Sequence, residues 1–107
     1  MAGTLNFEFN GDQADGQVVI DLRGEVDVYS APRLRDELQR LLSEGRTDIL
    51  LDVERLDFVD STGLGVIVAI AKQAYDAGGH LTLRAAPVAV QHVLRTTGIE
   101  GLVTVTE

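Results

Sequence analysis

Apolar and polar residues alternate over Leu5-Asn6-Phe7-Glu8-Phe9, the period-two pattern of a half-buried strand. Residues 10–16, Asn-Gly-Asp-Gln-Ala-Asp-Gly, have turn chemistry. Val18, Ile20 and Leu22 then alternate with Val19, Asp21 and Arg23 as a second strand. The short polar connection favours an antiparallel pair. Further on the period changes. Ser30 is placed to cap a helix, Pro32 suits its first turn, and Leu34, Leu38, Leu41 and Leu42 fall on one helical face. Gly45 is placed to end it.

Residues 48–53 read as a short strand buried on both faces, as parallel strands are, followed by a mixed connector up to Val59. Val66 to Ala71 is ambiguous, because its β-branched residues favour a strand. The apolar register runs on through Ala74 and Tyr75 to Gly78-Gly79, and that length predicts a buried helix from Asp60 to Ala77. Leu81, Leu83 and Ala85 predict a strand. Pro87 opens a helix with Val90, Val93 and Leu94 inward and Gly98 at its end, and Leu102, Val103 and Val105 predict a last strand. The expected order is β-β-α-β-α-β-α-β: a single α/β domain over residues 1–107, with a mixed sheet and helices packed on it.

Composition narrows the function. With 107 residues, 45% apolar and 24% charged, the chain can build one modest core. Its net charge of −8, concentrated in residues 1–57, argues against nucleic acid and anionic membrane surfaces as partners. The lack of cysteine removes disulfides, thiolate catalysis and the usual structural zinc sites, and fits a reducing compartment. No apolar run is long enough to span a membrane, and the first residues lack the pattern of a signal peptide. A cytoplasmic monomer is the expectation, without cofactor or metal.

The chemistry concentrates in Asp60-Ser61-Thr62-Gly63-Leu64-Gly65. Two glycines in the first turns of a helix cost about 1 kcal/mol each against alanine, so either tight packing or a need for bare backbone must compensate. A hydroxyl at a helix N-terminus is accessible, and a phosphate placed on it faces unpaired amides and a partial positive charge. The alternative is purely structural: Asp60 or Ser61 as a cap, and the glycines as packing. Other motifs fail. Val68 stands where a dinucleotide-binding loop needs its third glycine, residues 71–73 lack the end of a P-loop, and Val59 replaces the first glycine of a nucleophile elbow. His80 and His92 lie on different elements without ligand-spaced acids and read as surface residues, and Glu25 and Asp27 read as solvated loop acids.

Three segments together resemble STAS domains: Gly24-Glu25-Val26-Asp27 followed by Ala31-Pro32 and Leu34; residues 53–65 ending in Phe58-Val59-Asp60-Ser61-Thr62-Gly63-Leu64-Gly65; and Thr97-Gly98-Ile99-Glu100-Gly101-Leu102. Within that family the chain is similar to the stand-alone bacterial anti-sigma-factor antagonists. That resemblance implies a protein that is not an enzyme. It implies phosphorylation at Ser61 by an anti-sigma factor of the serine-kinase type, with Thr62 the neighbouring hydroxyl that is not modified. Asp27, Asp60, Ser61, Thr62, Gly63 and Leu64 would lie on the partner-binding face. The unmodified form would sequester the anti-sigma factor, releasing a sigma factor for transcription, and a phosphatase would restore it. The rival reading within the family is a constitutive scaffold or adaptor that ignores Ser61.

Overall fold

Strands and helices succeed one another in the expected order in a computed structural model that describes residues 5–12, 16–96 and 101–107. The elements are β1 (Leu5–Asp12), β2 (Val18–Val26), α1 (Ala31–Ser43), β3 (Asp48–Val59), α2 (Ser61–Asp76), β4 (His80–Arg84), α3 (Val88–Thr96) and β5 (Val103–Thr106). The strands lie in the sheet in sequence order; β1 is antiparallel to β2, and every later pair is parallel. Each parallel step needs a crossover, and right-handed crossovers in one direction put all the helices on one face. The core agrees. Ile20, Leu22, Ile49, Leu51, Leu81 and Leu83 from the sheet meet Leu34 and Leu38 of α1, Ile67 and Ile70 of α2, and Leu94 of α3. Residues of the other parity, among them Asp21, Asp52, Thr82 and Arg84, stand on the open face.

Both long helices end as glycine dictates. At α1 the Arg46 amide donates to the Leu41 carbonyl (2.9 Å) and that of Gly45 to Leu42 (3.0 Å), with Gly45 at φ +83. This double bond pattern closes the last turn and needs a left-handed residue, which glycine adopts without strain. Gly78 and Gly79 do the same for α2, donating to Tyr75 and Ala74.

Several expectations from the sequence need correction. β1 continues to Asp12, through what reads as turn chemistry, because an irregularity between Phe9 and Asp12 absorbs an extra residue. β2 runs on to Val26, so Glu25 is a strand residue and not a loop acid. The connector after Val53 is also strand: β3 reaches Val59. Asp21 and Arg23 of β2 face Asp52 and Arg55, and Gly24 and Glu25 face Leu56 and Phe58, so β3 carries an extra residue at each step. Each bulge resets the in–out alternation. The inward residues become Val53, Leu56 and Val59, three apart, a spacing that no strand template finds.

Ala85, expected in a strand, lies beyond β4 with a positive φ of 61. In α3 only Val90 and Leu94, four residues apart, are buried, and Val93, expected inward, is exposed: the helix turns a single narrow stripe to the core. The expected helix end at Gly98 and most of the segment Thr97–Leu102 lie outside the described residues.

Candidate functional site

In an open sheet with parallel strands, sites form beyond the carboxyl ends of the strands, where loops enter the helices. Here β2 ends at Val26 and β3 at Val59. One hydrogen bond ties the two ends together: the Asp60 amide donates to the Val26 carbonyl at 3.0 Å. The loop 27–30 and the start of α2 are therefore neighbours. Every expected site residue falls on this edge.

The loop is organised by Asp27. One of its carboxylate oxygens accepts from the Tyr29 amide (2.9 Å) and the Ser30 amide (3.0 Å). Ser30 does not cap α1, contrary to the expectation from sequence. It has helical backbone angles and no side-chain bond to the first turn. Its hydroxyl instead donates to the Glu25 carbonyl (2.9 Å) and accepts from the Asp27 amide (3.0 Å). Ser30 is only 9% exposed, so these bonds satisfy a polar group that water hardly reaches.

At α2 the parts are used differently. Asp60 is in extended backbone and its carboxylate accepts from the Gly63 amide at 2.9 Å, an ordinary N-cap. Gly63 is buried, and a Cβ there would stand 2.5 Å from a Val26 methyl and 2.9 Å from a Val59 methyl. The structural reading of this glycine therefore holds: it lets α2 seat on the ends of β2 and β3. Gly65 differs, since a Cβ there would meet nothing. Its helical cost of about 1 kcal/mol has no packing return.

Ser61 and Thr62 are exposed, and neither hydroxyl has a hydrogen-bond partner among the described residues. Asp60 accepts the Gly63 amide with its side chain and the Leu64 amide with its carbonyl. The amides of Ser61 and Thr62 have no intrahelical acceptor, as at any helix start. Leu64 is half-buried against the core. An anion carried on Ser61 would meet these amides and the positive end of the helix dipole.

The edge also carries apolar residues that the sequence reading missed. Val28 is 56% exposed, Tyr29 77% and Phe58 51%. Isolated apolar residues in a turn or beyond a bulge leave no periodic signal, and only the folded surface shows them gathered at one end. Away from it, His80 and His92 are exposed, and no group of metal-ligating side chains occurs among the described residues. On the open face Arg84 grips Asp52 through two nitrogens, at 2.9 and 2.6 Å. Burial alone would raise the Asp52 carboxyl, but the Arg84 bonds and the Glu54 amide outweigh it and hold it below the usual range. No helix among the described residues is long and apolar enough to cross a membrane.

Sheet order, helices on one face and a serine at the head of α2 define a recognisable class. A family model described as "Mlab, STAS domain" matches residues 9–104, and the chain belongs to the STAS domain family. Among curated relatives, it is 31% identical to the anti-sigma-B factor antagonist of Bacillus subtilis (strain 168) over 99 residues, 92% of this chain and 90% of the relative. Among solved structures, it is similar to the anti-sigma factor antagonist SpoIIAA in its unphosphorylated form, with a TM-score of 0.74 and 25% identity over 84% of this chain and 82% of that one. The Bacillus cell fate determinant SpoIIAA in the phosphorylated form shares the fold, with a TM-score of 0.77 and 23% identity over 95% of this chain and 92% of that one.

Proposed function

We propose that this chain is an anti-sigma-factor antagonist: a regulatory binding protein, not an enzyme, that holds an anti-sigma factor through the edge described above and is switched by phosphorylation at Ser61. The observation that carries the reading is the state of Ser61, an exposed and unengaged hydroxyl at the first position of α2. The names of its relatives support the partner class, and the existence of a neighbour in an unphosphorylated form supports the chemistry.

The switch rests on electrostatics. A hydroxyl is small and neutral in an interface. A phosphate adds about −1.5 to −2 charges. It would stand beside the Asp60 cap in a chain already at −8. An unpaired charge in a desolvated contact costs roughly 2–5 kcal/mol, which is about thirty- to several-thousand-fold in affinity. Within the free domain the same phosphate gains about 0.3–1 kcal/mol from the helix start. The modified protein stays folded while its complex dissociates. The kinase is the anti-sigma factor itself, a phosphatase resets the serine, and the outcome is control of sigma-factor-dependent transcription in the cytoplasm. Asp27 shapes the loop that presents Val28 and Tyr29; Gly63 sets the seat of α2; Thr62, Leu64 and Gly65 face or flank the partner.

The test is to isolate the chain from its native cells and map phosphate by peptide mass spectrometry. The proposal expects it on Ser61 and not on Ser30 or Thr62. A chain that carries no phosphate in any growth condition, yet still binds its partner, would be a constitutive scaffold.

A further inference from the structure

The strand lengths leave a notch. β3 pairs with β2 as far as Val59, but with β4 only over Asp48 to Asp52, because β4 ends at Arg84. The Glu54 amide turns back to the Asp52 carboxylate. Beyond it, residues 55–59 have no strand on the β4 side among the described residues, so alternate backbone groups on that side lack a ladder partner. Beside this edge lies an apolar cavity of about 210 Å³. Leu56, Val59, Ile67, Leu83 and Val90 form its walls and Ala89 its rim. Leu83 and Ile67 are core residues, so the cavity reaches the core from an open mouth. An apolar cavity of roughly 150 Å³ already accepts a benzene ring. Phe58, more than half exposed, also lines it.

We propose that this notch is a docking site for an extended peptide segment of a partner protein. The segment adds its backbone to the free edge of β3 and seats one aromatic or branched apolar side chain in the cavity. Strand addition takes its affinity from main-chain bonds and its specificity from pockets for alternate side chains, and both components are present here. The charges choose the flanks. Asp57 is the charged residue lining the cavity, in a chain of net charge −8, so basic residues should flank the apolar anchor. The two bulges of β3 and these charges also keep the edge from pairing indiscriminately with other strands. The site needs no change at Ser61, so its test stands apart from the phosphorylation switch.

The probe is the capped pentapeptide acetyl-Lys-Val-Phe-Val-Lys-amide, titrated into the isotope-labelled chain and followed by amide and methyl NMR. Saturable shifts are expected at residues 55–59 and at the methyls of Leu83 and Val90. The same peptide with alternate backbone amides methylated should bind at least about tenfold more weakly, because it cannot complete the ladder. Ala89→Phe, at an exposed helical position on the rim, should fill the mouth and weaken binding by a similar factor while leaving the remaining spectrum in place. Absence of saturable shifts at millimolar peptide would overturn the proposal. Equal binding of the methylated peptide, or of free indole at the same residues, would overturn the strand-addition part by showing that the ring alone is recognised.

Discussion

The starts of α1 and α2 use the same two residue types to opposite ends. Each helix leaves the carboxyl end of a neighbouring strand, and each start contains an aspartate and a serine. At α1, Asp27 and Ser30 bond to each other and to the backbone, and the serine is buried. At α2, Asp60 alone caps the helix and Ser61 is left in solvent with a free hydroxyl. A serine at a helix start is thus not in itself a modification site. What distinguishes the two is whether the hydroxyl is already committed to the fold.

The largest expected effect on stability separates the two serines. Ser30→Ala leaves the Glu25 carbonyl and the Asp27 amide without their partner in a nearly buried position, and should cost about 2 kcal/mol. Ser61→Ala removes a group that the fold does not use and should stay within about 0.5 kcal/mol of the parent. Urea unfolding of both variants checks the pair; similar losses would erase the distinction.

The glycines sharpen the comparison within α2. Gly63→Ala pushes a methyl into the Val26 and Val59 side chains, both stiff at χ1, and should destabilise by about 1–2 kcal/mol after its gain in helix propensity. Gly65→Ala meets open space and should stabilise by about 0.5–1 kcal/mol. If the partner approaches the backbone at Gly65, the stabilised variant binds it more weakly. Melting curves beside partner titrations would show opposite signs for stability and affinity at this one position.

A smaller effect concerns a carboxylate held by a charge and not by amides alone. Asp52 titrates below the ordinary value of 3.8, so its contribution is complete above that value and is lost as pH falls through the lower folded one. With Arg84 partly exposed, Asp52→Asn should cost roughly 1 kcal/mol at neutral pH. The difference from the parent should shrink once the solution is acid enough to protonate Asp52. A difference that stays constant with pH would mean that the two bonds to the one Asp52 oxygen contribute through shape and not through charge.

Much of this fold is legible in the sequence, for physical reasons that also explain the gaps. α2 can be read despite its β-branched run because its apolar register outlasts a strand and meets Gly78-Gly79. Gly45 announces the end of α1 because few residues other than glycine take the left-handed cap. β3 reads too short because its bulges move the inward positions to Val53, Leu56 and Val59, and the notch beside it is invisible for the same reason. Ser30 reads as a cap because sequence cannot tell which of two polar groups a hydroxyl will choose. The segment around Ser61 stands out through its glycines, whereas Val28, Tyr29 and Phe58 carry no pattern at all.

The central claim is that Ser61 gates a protein complex, and a paired capture experiment tests it most directly. Ser61→Ala and Ser61→Asp chains serve as baits in lysate of the native bacterium, with bound proteins identified by mass spectrometry and their affinities then measured. The account predicts that an ATP-binding, kinase-like anti-sigma factor is retained by the alanine bait and lost from the aspartate bait, with affinities at least about thirtyfold apart. Retention of the same proteins at the same affinity by both baits would contradict it, and would leave an interaction module whose binding does not depend on Ser61.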